Sequence, residues 1–151
     1  MSVTHSLTRR GPAAALALVT ATVLGAGAAG ASSAAPAAAP RTRQIATSVL
    51  GGDYRFSLTA VRSTGDEYAA SVRLKVYTRT SGGAWKETDR ATVGAVDGWF
   101  WYPLTGKGAV CRFSTSAAEP APIEVSLLVT PSIGCSAPQR FVVERGRIHA
   151  D

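Results

Sequence analysis

An all-β domain behind an export leader is the fold class this sequence predicts: a small immunoglobulin-like β-sandwich of seven or eight strands. Three observations carry it. Apolar and polar residues alternate with period two over long stretches beyond Pro40. Glycine-rich turn sequences separate those stretches at short intervals. No window after Pro40 repeats apolar residues at the 3.6-residue spacing of a helix long enough to matter. A small closed β-barrel is the alternative, because the same alternation lines a barrel.

The strands follow in order. Gln44–Leu50 is the first short candidate. From Asp53, the residues Tyr54, Phe56, Leu58 and Ala60 share one face, with Arg55, Ser57 and Thr59 on the other. Tyr68, Ala70, Val72, Leu74 and Val76 repeat the pattern, opposed by Ser71, Arg73, Lys75 and Arg79. Trp85–Val93, Trp99–Pro103 and Ala109–Thr115 come next. Ile123, Val125, Leu127 and Val129 then alternate against Glu124, Ser126 and Thr130, and Arg140–Glu144 closes the series. The connections Gly51-Gly52-Asp53, Thr64-Gly65-Asp66, Ser81-Gly82-Gly83, Asp97-Gly98 and Thr105-Gly106-Lys107-Gly108 are turn chemistry. Glu119-Pro120-Ala121-Pro122 reads as a stiffer crossing between sheets.

Residues 1–39 differ in kind from residues 40–151, which form the single sandwich domain. Arg9 and Arg10 open the chain without an acidic partner, Pro12 to Gly30 carries no charge, and an Ala/Pro/Ser stretch follows. That order is the pattern of a cleavable signal peptide, with cleavage expected after Ala31 or Ala37. The Ala- and Gly-rich composition argues against a membrane anchor, since few of its residues gain much from lipid. No Cys sits near the cleavage region to take a lipid, and no apolar segment of spanning length follows Pro40. A secreted, extracellular protein with no membrane span in its mature chain is therefore expected.

About 110 residues suffice for one core and not for two. Without Arg9 and Arg10, fourteen basic residues face ten acidic ones, a net charge of +4. This permits contact with an anionic surface but does not point to nucleic acid. The two cysteines, Cys111 and Cys135, both belong to the mature part, and an oxidising compartment predicts a disulfide between them.

Two surfaces are candidates for binding. If Gly82-Gly83 is a two-residue hairpin loop, Val72 opposes Val93, Leu74 opposes Ala91, Lys75 opposes Arg90 and Arg79 opposes Lys86. A three-residue loop pairing Arg79 with Glu87 would turn Lys86 and Arg90 toward the core, which costs more than a solvated repulsion. The expected outer face is therefore basic: Arg73, Lys75, Arg79, Lys86 and Arg90. The second candidate is the run Trp99-Phe100-Trp101-Tyr102. On a strand, Trp99 and Trp101 share a face and, with Trp85, would make an aromatic platform for sugar rings.

Catalysis has little to build on. The mature chain has one histidine, His149, near the end, too poorly placed to activate a nucleophile. Glu87 and Asp89 are expected on the same side of one strand, a spacing common by chance. There is no His/Cys metal cluster, phosphate-binding glycine loop or calcium loop, so no cofactor is expected. The functional expectation is a secreted, non-enzymatic binding module. Its partner would be an extracellular glycan, an acidic envelope polymer or a secreted protein. A carbohydrate-binding protein using Trp85, Trp99 and Trp101 is one alternative. An inhibitor of a secreted hydrolase, presenting Pro103–Gly108 with Lys107 as anchor, is another.

Overall fold

Two five-stranded antiparallel sheets face each other in the computed structural model, which describes residues 39–151. The signal peptide and its cleavage sites, expected within residues 1–39, lie outside the described residues apart from Ala39. The first sheet runs in the order β1 (Thr42–Leu50), β2 (Tyr54–Arg62), β3 (Ala69–Arg79), β4 (Trp85–Val93), and the short β5 (Trp99–Phe100) pairs with β3. A one-turn helix, α1 (Trp101–Thr105), leads to the second sheet. That sheet has β6 (Val110–Thr115), β7 (Ala121–Thr130), β8 (Gly134–Cys135), β9 (Gln139–Glu144) and β10 (Arg147–Ala150). They run in the order β10-β9-β7-β6, with β8 also on β7.

The alternating apolar residues form the core as their period requires. Phe56, Leu58, Leu74 and Val76 from the first sheet meet Ile123, Val125, Leu127, Phe141 and Val143 from the second. Each large side chain fully removed from water contributes about 1.5–3 kcal/mol. Leu104 of α1 joins them, completely buried. The facing sheet edges are tied at both sides. The hydroxyls of Ser48 on β1 and Thr115 on β6 share a hydrogen bond at 3.1 Å. On the other side, the N–H of Ile148 on β10 donates to the Asp89 carboxylate on β4 at 2.9 Å.

The cysteines are bonded, Cys111 to Cys135, with Cα atoms 6.1 Å apart. The bridge links β6 to β8, which flank β7 on its two sides.

Three expectations need correction. Trp99–Pro103 is not one strand, because the extended conformation ends at Phe100 and the chain turns into α1. Pro103 has no N–H for a sheet ladder yet is tolerated in a first helical turn. The turn drives Leu104 into the core, an apolar gain that outweighs the local strand preference. The second correction is that the chain ends in a hairpin that adds a strand the alternation did not reveal. Arg145 (φ 50°) and Gly146 (φ 76°) make its two-residue turn, both left-handed as such a turn demands.

The third correction concerns the register of β3 and β4. The predicted pairs hold from Val72–Val93 through Val76–Asp89 and then slip by one residue. Thr88 is the extra residue, a β-bulge, so Arg79 pairs with Trp85 rather than Lys86. The Gly146 backbone lies against the slip. A Cβ at Gly146 would stand 3.1 Å from Thr88 Oγ1 and 3.2 Å from Thr78 Cγ2, so the β9–β10 turn is seated on the bulge.

Candidate functional site: the outer face of the first sheet

The outer face of the first sheet is built in rows by the strand register. Thr59, Arg73 and Thr92 form one row; Thr47, Ser57, Lys75 and Arg90 the next; Val49, Arg55, Tyr77 and Glu87 the third; Arg79 and Trp85 the last. Five cations thus stand on one face, with the Glu87 carboxylate among them and the Asp97 carboxylate at its end, where it accepts from the Ser71 hydroxyl at 3.0 Å. Glu87 forms ion pairs with both Lys75 (3.2 Å) and Arg90 (2.8 Å), so its charge is shared by two neighbours.

Arg55, Arg73 and Arg79 make no ion pair among the described residues. Aromatic rings hold two of them. The guanidinium of Arg55 lies 4.4 Å from the Tyr77 ring centre and 5.5 Å from Trp85, and that of Arg79 lies 5.1 Å from Trp85. Such stacking orders a long side chain over a ring face while leaving its N–H edge to solvent. An arginine held this way is prepared to grip a carboxylate, sulfate or phosphate with two parallel hydrogen bonds. Ser57, at 2% exposure, lies in the same face and its hydroxyl has no partner among the described residues.

The sequence-predicted basic residues are mostly brought together here. Arg73, Lys75, Arg79 and Arg90 share the face. Lys86 does not: the bulge at Thr88 sets it opposite Thr78, in the row of the inward-facing residues, where it stays exposed at the sheet end. Arg55 takes its place, a residue the sequence had put on the outer face of β2 without counting it as part of the patch. The same bulge separates Glu87 from Asp89. Glu87 stands on the outer face, whereas Asp89 turns to β10, so the two acids expected side by side do not face one another. Backbone N–H bonds from Ile148 first, then Arg90, hold the Asp89 carboxyl below its ordinary range.

The three tryptophans are not brought together. Trp85 belongs to the outer face with Arg55 and Arg79. Trp99, 7% exposed, is a core residue whose indole Nε1 donates to the Val93 carbonyl at 2.7 Å. Trp101 is half-buried at the start of α1, packed against the core, with the Arg62 guanidinium 5.9 Å from its ring. Pro103–Gly108 is not an extended loop, since its first three residues belong to α1; Lys107 is exposed beyond it. Among the described residues no group of three His, Cys, Asp or Glu stands close enough to hold a metal, and no helix is long and apolar enough to cross a membrane.

No family model, curated protein or solved structure matches this chain.

Proposed function

We propose that this is a secreted, non-enzymatic binding module that docks an anionic polymer on the outer face of its first sheet. The observation that carries the reading is the imbalance on that face. Arg55, Arg73, Lys75, Arg79 and Arg90 stand there against two acids, Glu87 and, at the end of the face, Asp97, and ring stacking orders two of the arginines. A solvating surface needs no such ordering, because exposed cations keep their rotamer freedom when nothing has to be gripped. A polyanion lying along the rows would replace water around several guanidinium edges at once.

Secretion belongs to the same proposal. It rests on the charge and hydropathy order of residues 1–39 and on an exposed disulfide, which persists in oxidising compartments. Its check is the N-terminal mass of protein recovered from the culture medium, expected to begin after Ala31 or Ala37. The immunoglobulin-like connectivity goes no further than the two-sheet layout. Four consecutive strands of this chain lie in one sheet, whereas immunoglobulin domains divide their first strands between two.

The binding reading is tested on immobilised heparin, a sulfated polyanion. Retention at low salt should be lost as ionic strength shortens the screening length from about 10 Å at 0.1 M to about 3 Å at 1 M. Reversing Arg55, Arg73 and Arg79 to Glu should abolish it, while reversing Arg112, which is paired with Glu124 on the second sheet, should leave most of it. Retention indifferent to the three first-sheet arginines would sink the proposal.

A further inference from the structure

A second surface has different chemistry. Tyr68 and Tyr102 are each 58% exposed, with ring centres 6.1 Å apart and planes inclined at 52°. Single exposed aromatics are ordinary, but two converging ones form an apolar patch that water disfavours. The sequence grouped Tyr102 with its tryptophan neighbours on one strand; the turn into α1 brings it to Tyr68 instead.

The backbone beneath the two rings is fixed. The N–H of Trp101 donates to the Tyr68 carbonyl at 2.8 Å, and the N–H of Tyr68 donates to the Asp66 carboxylate at 2.8 Å. Both tyrosines are therefore carried on pinned chain, and little ordering is left for a ligand to impose. Arg62 stands behind them. Its guanidinium lies 5.9 Å from the Trp101 ring and 6.0 Å from Tyr102, its Nε donates to the Glu67 carbonyl at 2.8 Å, and its Nη2 meets the Glu67 carboxylate at 3.5 Å. Arg62 and Glu67 also line an open groove of about 840 Å³, together with Pro40, Arg41, Ser63 and Thr64.

We infer that Tyr68 and Tyr102 form a cleft for a soluble, neutral oligosaccharide, with the Arg62–Glu67 pair addressing its hydroxyls. Three features select that ligand. The rings present flat apolar faces of the kind that pack on the C–H face of a pyranose. Arg62 and Glu67 cancel in charge yet offer donors and an acceptor side by side, which suits vicinal hydroxyls rather than an ion. The 52° inclination keeps the two rings from forming one flat platform, which suits one sugar of a flexible chain and not the flat face of a crystalline polymer. The neighbouring groove, which mixes apolar and polar walls, gives the rest of the chain a place to run. This site is independent of the basic face, and either can fail without the other.

The experiment is calorimetric and NMR titration of the purified protein with cellohexaose, xylohexaose and chitohexaose. Saturable binding of at least one at millimolar concentration or below is expected, unchanged between low and high salt because the ligand is neutral. Tyr68→Ala and Tyr102→Ala should each weaken it about tenfold, equivalent to about 1.4 kcal/mol. Tyr102→Phe, which keeps the ring, should retain most of it, and thermal melts will show whether each variant is folded. The inference is overturned if none of the three sugars gives a saturable response. It is equally overturned if folded Ala variants bind as well as the parent, or if crystalline cellulose captures the protein more strongly than the soluble chains. Sedimentation showing that the tyrosines instead mediate a dimer, with no response to sugar, would also overturn it.

Discussion

The Trp99 indole lies directly on Gly94: a Cβ on that glycine would stand 3.2 Å from Cζ2 and 3.3 Å from Nε1. Gly94 also holds φ at +73°, a conformation that side chains rarely adopt. The two constraints act together, because the chain must reverse after β4 at the place where the indole reaches back to the Val93 carbonyl. Gly94→Ala is therefore expected to lower stability by about 2–3 kcal/mol, from left-handed strain and the displaced ring. Urea unfolding of the variant against the parent checks it.

Trp99 should report its burial directly. With Trp85→Phe and Trp101→Phe combined, the remaining fluorescence is expected to be blue-shifted and weakly quenched by acrylamide. The single-tryptophan protein retaining Trp85 should emit further to the red and quench readily, because Trp85 is only half-buried on an outer face. Trp99→Phe should cost about 1–3 kcal/mol, since it leaves the Val93 carbonyl without its donor in the core.

Asp89 ties β4 to β10, and its carboxyl is held below its ordinary value by the Ile148 and Arg90 N–H groups. A carboxylate with a lowered folded-state pKa contributes its stability fully above the unfolded value of about 3.9 and loses it as pH falls toward the folded one. Equilibrium unfolding should show this contribution constant between pH 5 and pH 7, taking about 3.9 as the upper limit of the transition. The contribution should then decline below that limit. Asp89→Asn should flatten the acid limb of the stability curve and loosen the β9–β10 hairpin, visible as faster amide exchange at Ile148.

The disulfide closes a loop with a sequence separation of 24, which corresponds to about 3–4 kcal/mol in the chain-entropy model. Replacing Cys111 and Cys135 by Ser together should reduce stability by about that amount. Because both cysteines are exposed at strand positions rather than in the core, the reduced chain is expected to keep its β-sheet circular dichroism at low temperature.

Glu87 restrains the basic face by engaging Lys75 and Arg90. Glu87→Gln should release both cations and strengthen polyanion binding about two- to fivefold, the scale of one partly exposed ion pair. Elution from heparin at higher salt than the parent is the measurement; elution at lower salt would show that Glu87 instead positions the two cations.

What the residues determined by themselves is the sheet architecture. Period-two alternation at Tyr54–Ala60, Ala70–Val76 and Ile123–Val129 settles which side chains face inward, because a strand that hid the other set would bury charge. It likewise decides that Arg55, Arg73, Lys75 and Arg79 point outward together, and the presence of two cysteines in the whole sequence foretells their bond. Local pattern could not decide where contacts between distant segments override it. Trp99–Pro103 alternates like a strand, yet burial of Leu104 turns it into α1 and sends Trp99 to the core and Tyr102 to Tyr68. Thr88 shows no bulge signal of its own, yet the bulge there moves Lys86 off the basic face and parts Glu87 from Asp89, and the backbone of Gly146, 58 residues further on, packs against it. Alternation records only whether a residue meets water. Which distant backbone presses on a strand, and so which exposed side chains become neighbours, is decided by packing between the sheets.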